Sequence, residues 1–283
     1  MASVVASDGA SLSVQDSGRG HPVLFIHEWA GNHRSWKHQV GYFGHAYRCI
    51  TYDARGYPSS TVNAEQLHYS QDRAVADAID VLDSLSVERA HIIGLSMGGF
   101  CALHLGLRHP DRVAALVVAS VGYGAHPDRQ AAFRQECEQM SATVLAEGPG
   151  TFARHYALGP ARVPLRDKDP AGWDEFVSVL SLNSGTAMAM TMRGVQAARP
   201  SLYDVTAELR RLTIPTLLLV GGLDTESVEP TAMLGRTIPS ATVSVLPGTG
   251  HAINLEEPDK FNQPAEDFLR AIEPGSNLAG PPQ

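Results

Sequence analysis

Gly94-Leu95-Ser96-Met97-Gly98 holds the first residue able to do chemistry, a serine set between glycines. A serine hydroxyl is a poor nucleophile until a base removes its proton as it attacks. That base works best when a carboxylate fixes its tautomer and stabilises its charged form. His251, in Gly248-Thr249-Gly250-His251, and Asp224, in Gly221-Gly222-Leu223-Asp224, supply the two partners. The expected chemistry is acyl transfer, with Ser96 attacking a carbonyl, His251 moving the proton and Asp224 orienting His251. Plainer readings stand beside it: the G-x-S-x-G match could be chance in a chain with 26 glycines. Asp224 could simply cap the helix after it, with Glu226 as a substitute acid. His27-Glu28 opens like the zinc motif H-E-x-x-H, but Gly31 stands where the second histidine is needed, so a metalloprotease is rejected.

Ser96 needs a strand before it and a helix after it. His91 to Gly94 is rich in β-branched residues, while Phe100, Leu103, His104 and Leu107 recur at the spacing of one helix face. Earlier, 3–6 and 12–16 flank Asp8-Gly9 as an antiparallel strand pair, and 22–27 and 48–52 are apolar runs suited to strands covered on both faces. Residues 70–85 repeat apolar side chains at helical intervals. After 113–119, another buried strand, the strand–helix alternation of a parallel α/β fold is established. Residues 123–211 break it with amphipathic segments near 130–146, 151–158, 173–182 and 187–198, separated by Gly-Pro and Asp-Pro steps. The core resumes with strands at 213–220 and 241–246 and helices at 231–237 and 258–272. Ser96, Asp224 and His251 each follow a strand, and the carboxyl ends of parallel strands share one edge of the sheet.

The organisation expected is therefore core at 1–122, a helical cap at 123–211, core again at 212–272, and a flexible tail at 273–283 with three prolines and two glycines. The 283 residues, 43% hydrophobic, suffice to bury about three quarters of the unfolded surface. With 22 basic and 30 acidic residues, a formal charge of −8 and no long run of either sign, nucleic acid is not an expected partner. Cys49, Cys101 and Cys137 are far apart, without disulfide or metal spacing, which suits a reducing compartment. Residues 1–8 lack the charge and apolar pattern of a signal peptide, and no apolar run approaches about 18 residues. The expectation is a cytoplasmic protein that acts on a small molecule without a membrane partner; a homodimer is left open.

As a set, several segments resemble the α/β-hydrolase superfamily from about Leu12 to Ile272. They are His27-Glu28-Trp29-Ala30-Gly31, Asp53-Ala54-Arg55-Gly56, Gly94-Leu95-Ser96-Met97-Gly98-Gly99, Gly221-Gly222-Leu223-Asp224, and Gly248-Thr249-Gly250-His251 followed by Glu256-Glu257-Pro258. The chain order nucleophile, acid, histidine is also that of these enzymes. The resemblance implies a mostly parallel eight-stranded sheet flanked by helices, an inserted helical cap over the substrate, and no cofactor or metal. It also implies backbone N–H groups of Trp29 and Met97 as the donors that hold an oxyanion, and Arg55 as an anchor of its own loop.

Glu28 departs from that pattern, because relatives usually carry glycine after the histidine. A carboxylate there would lie where negative charge develops, so it should be protonated, paired with a base such as Arg34 or Arg55, or turned into a loop network. Either it ties down the oxyanion loop or it meets substrate or a water. Tyr123, Met188 and Met192 are further candidate substrate contacts, although the methionines would serve equally as core filling. The reading is a serine hydrolase of a small, mainly apolar carboxylic ester or lactone. The rivals are a carbon–carbon hydrolase of aromatic compounds, against which the absence of an S-G-P-G run counts, a lyase or cofactor-free oxygenase, and a binder without turnover.

Overall fold

Largely apolar runs form the centre of a single eight-stranded sheet in the computed structural model, which describes residues 2–63 and 65–272. In chain order the elements are β1 (Ala2–Val5), β2 (Ser11–Gly18), β3 (His21–Ile26), α1 (Lys37–Phe43), β4 (Tyr47–Tyr52), α2 (Gln71–Ser84), β5 (Ala90–Leu95), α3 (Met97–Arg108) and β6 (Val113–Ala119). A run of helices follows: α4 (Gln130–Glu147), α5 (Pro149–Tyr156), α6 (Val163–Lys168), α7 (Pro170–Ser181), α8 (Gly185–Thr191), which passes into a π-helical turn at Met192–Ala197, and α9 (Thr206–Leu209). The sheet then resumes with β7 (Thr216–Gly221), α10 (Thr225–Thr237), β8 (Ala241–Leu246), α11 (Ile253–Glu256) and α12 (Pro258–Ile272). The strand order is β1-β2-β4-β3-β5-β6-β7-β8. Only the β1–β2 and β2–β4 pairings are antiparallel.

Every residue of β5 and β7 is buried, as an apolar strand between two helical layers must be. One core layer packs α2, α3 and α10 on one face of the sheet, and another packs α1 and α12 on the other. A third joins the inserted helices to the carboxyl edge, with Trp29, Tyr57 and Met97 of the core against Phe133, Phe152 and Phe176. Burying side chains of this size contributes about 1.5–3 kcal/mol each, so this layer fixes the helices over the sheet.

The eight-stranded, mostly parallel sheet expected from the sequence is present. The helix expected at 231–237 starts earlier, at Thr225, and runs through Pro230. Pro230 lacks only one backbone donor, and its ring lies against Gly122, where a Cβ would overlap it. Helices α1, α6, α9 and α11 were not anticipated; each is seven residues or shorter, too short for a clear 3.6-residue repeat. The tail at 273–283, expected to be flexible, lies outside the described residues. Among the described residues no helix is long and apolar enough to cross a membrane.

Candidate active site

β5 ends in the turn that carries Ser96, whose backbone adopts φ 54° and ψ −112°, a conformation costly for a residue with a side chain. The Ser96 N–H donates to the Ala119 carbonyl at 2.8 Å, which ties the turn to β6. A Cβ at Gly98 would overlap the carbonyl of Ile26, and one at Gly94 would overlap that of Gly98, so both must be glycine for α3 to come this close to β3 and β5. Ser96 thereby sits at the positive end of α3, partly exposed among buried neighbours.

Asp224 follows β7 and occupies the position before α10, yet its side chain makes no capping bond to that helix. Its Oδ2 instead lies 2.8 Å from Nδ1 of His251. The plain reading of Asp224 as a helix cap is thereby removed. Burial would raise its pKa, but the charge and hydrogen bond of His251 outweigh burial and hold it below the ordinary value. Glu226 lies at the same cavity but pairs with Arg129 at 3.4 Å.

The loop presenting His251 is braced twice. Both oxygens of Glu256 accept from the Gly250 N–H, at 2.9 and 2.8 Å. Lys168 of α6 donates to Glu256 at 2.7 Å, Glu257 at 2.8 Å and the Gly248 carbonyl at 2.6 Å. The His251 N–H also reaches the Ala161 carbonyl at 3.4 Å.

The loop after β3 is held as firmly. His27 donates from Nδ1 to the Glu28 carbonyl at 2.7 Å, and its Nε2 accepts from the Ala54 N–H at 3.0 Å. Those bonds require the neutral ring, and burial pushes its pKa down. The Tyr57 hydroxyl donates to the Trp29 carbonyl at 2.7 Å, and the Trp29 indole N–H to the Met188 carbonyl at 3.2 Å. Met97 opens α3, where an N–H has no partner within the helix.

Glu28 pairs with neither Arg34 nor Arg55, correcting those two expectations. Arg34 is exposed, and Arg55 is bonded to Asp77 and Asp8, anchoring its loop to α2 and to the β1–β2 turn. The partner of Glu28 is Arg162, just before α6, which donates from Nη1 at 3.0 Å and from Nη2 to the other oxygen. Arg162 also donates to the Tyr156 hydroxyl at 3.1 Å and stacks 4.8 Å from the Phe176 ring centroid. Burial would push the Glu28 carboxyl up, but the Arg162 guanidinium outweighs it and holds the group ionised. Glu28 Oε2 lies 4.0 Å from His251 Nε2, so the carboxylate faces the histidine across the site.

Ser96, Asp224 and His251 border one cavity of about 490 Å³, and residues of the helices between β6 and β7 form much of its remaining wall. Trp29, Glu28, Tyr123 and Met192 border it as well. Met188 does not, so its expected substrate contact is not met: its side chain is buried in the layer between insertion and core. Met97 lines a narrow cleft beside Tyr69 and Cys101. Arg162, Lys168 and Arg199 were not anticipated; they lie in the insertion, in segments without a motif. Among the described residues, no group of three or more His, Cys, Asp or Glu side chains is arranged to hold a metal ion.

Comparison with known proteins agrees with this architecture. A family model described as the alpha/beta hydrolase fold matches residues 21–258. The chain is 27% identical to 3-oxoadipate enol-lactonase 1 of Acinetobacter baylyi, over 94% of this chain and 95% of that protein. It is 24% identical to a putative 2-succinyl-6-hydroxy-2,4-cyclohexadiene-1-carboxylate synthase of Bacillus subtilis, over 95% and 98% of the two chains. Among solved structures, a thermophilic esterase from Thermogutta terrifontis superposes with a TM-score of 0.84 at 26% identity, over 96% and 98%. The chain belongs to the α/β hydrolase fold family and is an enzyme of that family.

Proposed function

We propose that the enzyme is a serine hydrolase that cleaves a small carboxylic ester or lactone through an acyl-enzyme. Ser96 attacks the carbonyl carbon while His251 takes its proton. The N–H groups of Trp29 and Met97 receive the oxyanion, and the proton then passes from His251 to the leaving oxygen. Water repeats the sequence to release the acid. Asp224 keeps the proton of neutral His251 on Nδ1 and stabilises the imidazolium formed in each half-reaction. The observation that carries this reading is the 2.8 Å Asp224–His251 bond at the cavity bordered by strained Ser96. Glu28 acts as a tie: paired with Arg162, it brings no free charge to the oxyanion and joins the loop of Trp29 to the cap.

Residues 123–211 serve as the cap, and their Phe133, Met140 and Met192 side chains give the acyl group an apolar wall. The three buried cysteines form no disulfide, which fits a cytoplasmic enzyme, and the substrate is a small molecule rather than a nucleic acid or membrane. A panel of acyl-chain esters, lactones and vinylogous diketones tests the reading. Release of alcohol in a burst followed by a slower steady rate identifies an acyl-enzyme, whereas cleavage of the diketones alone would move the assignment to carbon–carbon hydrolysis.

A further inference from the structure

The cavity wall contains a second guanidinium, partly buried, whose setting differs from that of Arg162. Arg199 follows the π-helical turn at Met192–Ala197, the kind of helix irregularity that often marks a functional site, and Met192 and Gln196 of that turn share the cavity wall with it. Its Nη1 donates to the Gln196 side-chain carbonyl and its Nη2 to the Tyr123 backbone carbonyl at 2.9 Å. The guanidinium carbon lies 3.5 Å from the centroid of the Phe100 ring. These partners are neutral: they fix the group without balancing its charge. Among the described residues no carboxylate pairs with Arg199. The other charged side chains at the cavity are engaged, Glu28 with Arg162, Asp224 with His251, Glu226 with Arg129, and His155 with Glu147.

We propose that Arg199 anchors a carboxylate on the acyl part of the substrate. The ester or lactone attacked by Ser96 would then carry a free carboxylate a short chain away from the scissile carbonyl. This deepens the hydrolase reading and rests on it. The placement suits a short acyl chain, because Ser96 and Arg199 border the same cavity of about 490 Å³. A planar guanidinium with two of its five N–H groups committed still has donors for a carboxylate. A phosphate dianion fits less well, since one cation would leave a negative charge facing Asp224 and Glu226.

The test compares the p-nitrophenyl monoester of glutaric acid with neutral p-nitrophenyl pentanoate in wild type, Arg199→Gln and Arg199→Lys. Losing a charged hydrogen-bonding partner should lower kcat/KM for the glutarate ester about ten- to a hundredfold more than for the pentanoate, mainly through KM, with part of the difference regained by Arg199→Lys. Calorimetric binding of 5-oxohexanoate and of 2-hexanone to the Ser96→Ala protein, with and without Arg199→Gln, needs no turnover. The acid should bind more tightly than the ketone, and Arg199→Gln should abolish that difference. Equal losses on both esters, or equal binding of the two ketones, overturns the proposal. If neither ester is cleaved while the acid is still preferred through Arg199, the anion site stands and the ester-hydrolase reading falls. Should Arg199→Gln fail to fold, the wild-type and Arg199→Lys comparisons still decide.

Discussion

Replacing Arg162 by methionine removes the guanidinium that pairs with Glu28, and both side chains are about 2% exposed. Deleting one member of a buried ion pair typically costs about 3–5 kcal/mol, because the remaining charge is left without water or partner. For a chain of this size that lowers Tm by on the order of 10 °C. The pH dependence carries the sign. In the wild type Glu28 titrates below its ordinary value of 4.5, so its contribution to stability is complete above that pH and is lost as pH falls through the depressed folded value. In Arg162→Met burial, the largest of the causes, is opposed only by the weaker pull of His251 and His27, so the folded pKa rises and the Glu28 contribution then declines as pH increases through that higher value. Thermal melts from pH 4 to 8 in wild type, Arg162→Met, Glu28→Gln and the double variant measure this directly. The double variant, with no buried charge at either site, should recover most of the loss of Arg162→Met. A Tm for Arg162→Met within about 2 °C of wild type, or a pH slope of the wild-type sign, would refute the buried-pair account.

Three other substitutions probe the same frame. Asp224→Asn should leave the fold intact by circular dichroism and lower kcat by about 10⁴, the loss expected when the histidine takes the wrong tautomer; a loss below tenfold would point to Glu226. It should also remove stability that the wild type keeps above the ordinary aspartate value of 3.8 and loses only at lower pH, since the folded pKa of Asp224 is depressed. Lys168→Met should lower kcat about tenfold through the His251 loop, a modest misplacement of the base. Because Lys168 is one-third exposed, its Tm should fall by no more than a few degrees, and a large Tm loss with normal kcat would contradict this. Gly98→Ala forces a methyl group into the Ile26 carbonyl, so it should yield little soluble protein or an inactive one, read from expression and specific activity.

The strands were legible because central parallel strands are buried on both faces and so appear as unbroken apolar runs, as in 113–119. Ser96, Asp224 and His251 were legible because glycine-bearing turns at strand ends mark them locally. The partner of Glu28 was not: Arg162 stands between Gly159-Pro160 and the six-residue α6, and only tertiary packing brings it across the site. Sequence proximity points instead to the nearer Arg34 and Arg55. Arg199 was hidden for a similar reason, since a π-helical turn has no hydrophobic repeat that distinguishes it from α8. Tyr123 and Met192 reach the cavity and Met188 does not, because successive helix positions face different directions and a methionine run does not reveal which face is turned inward.

Ser96, as the residue proposed to form the covalent acyl bond, should react with a fluorophosphonate probe, with the labelled peptide read by mass spectrometry. A single adduct on the peptide containing Ser96, absent from Ser96→Ala and slowed at least a hundredfold in a His251→Ala variant, is the result predicted from nucleophile activation. Hydrolysis that persists at the wild-type rate in Ser96→Ala, or a label on another residue, would contradict it.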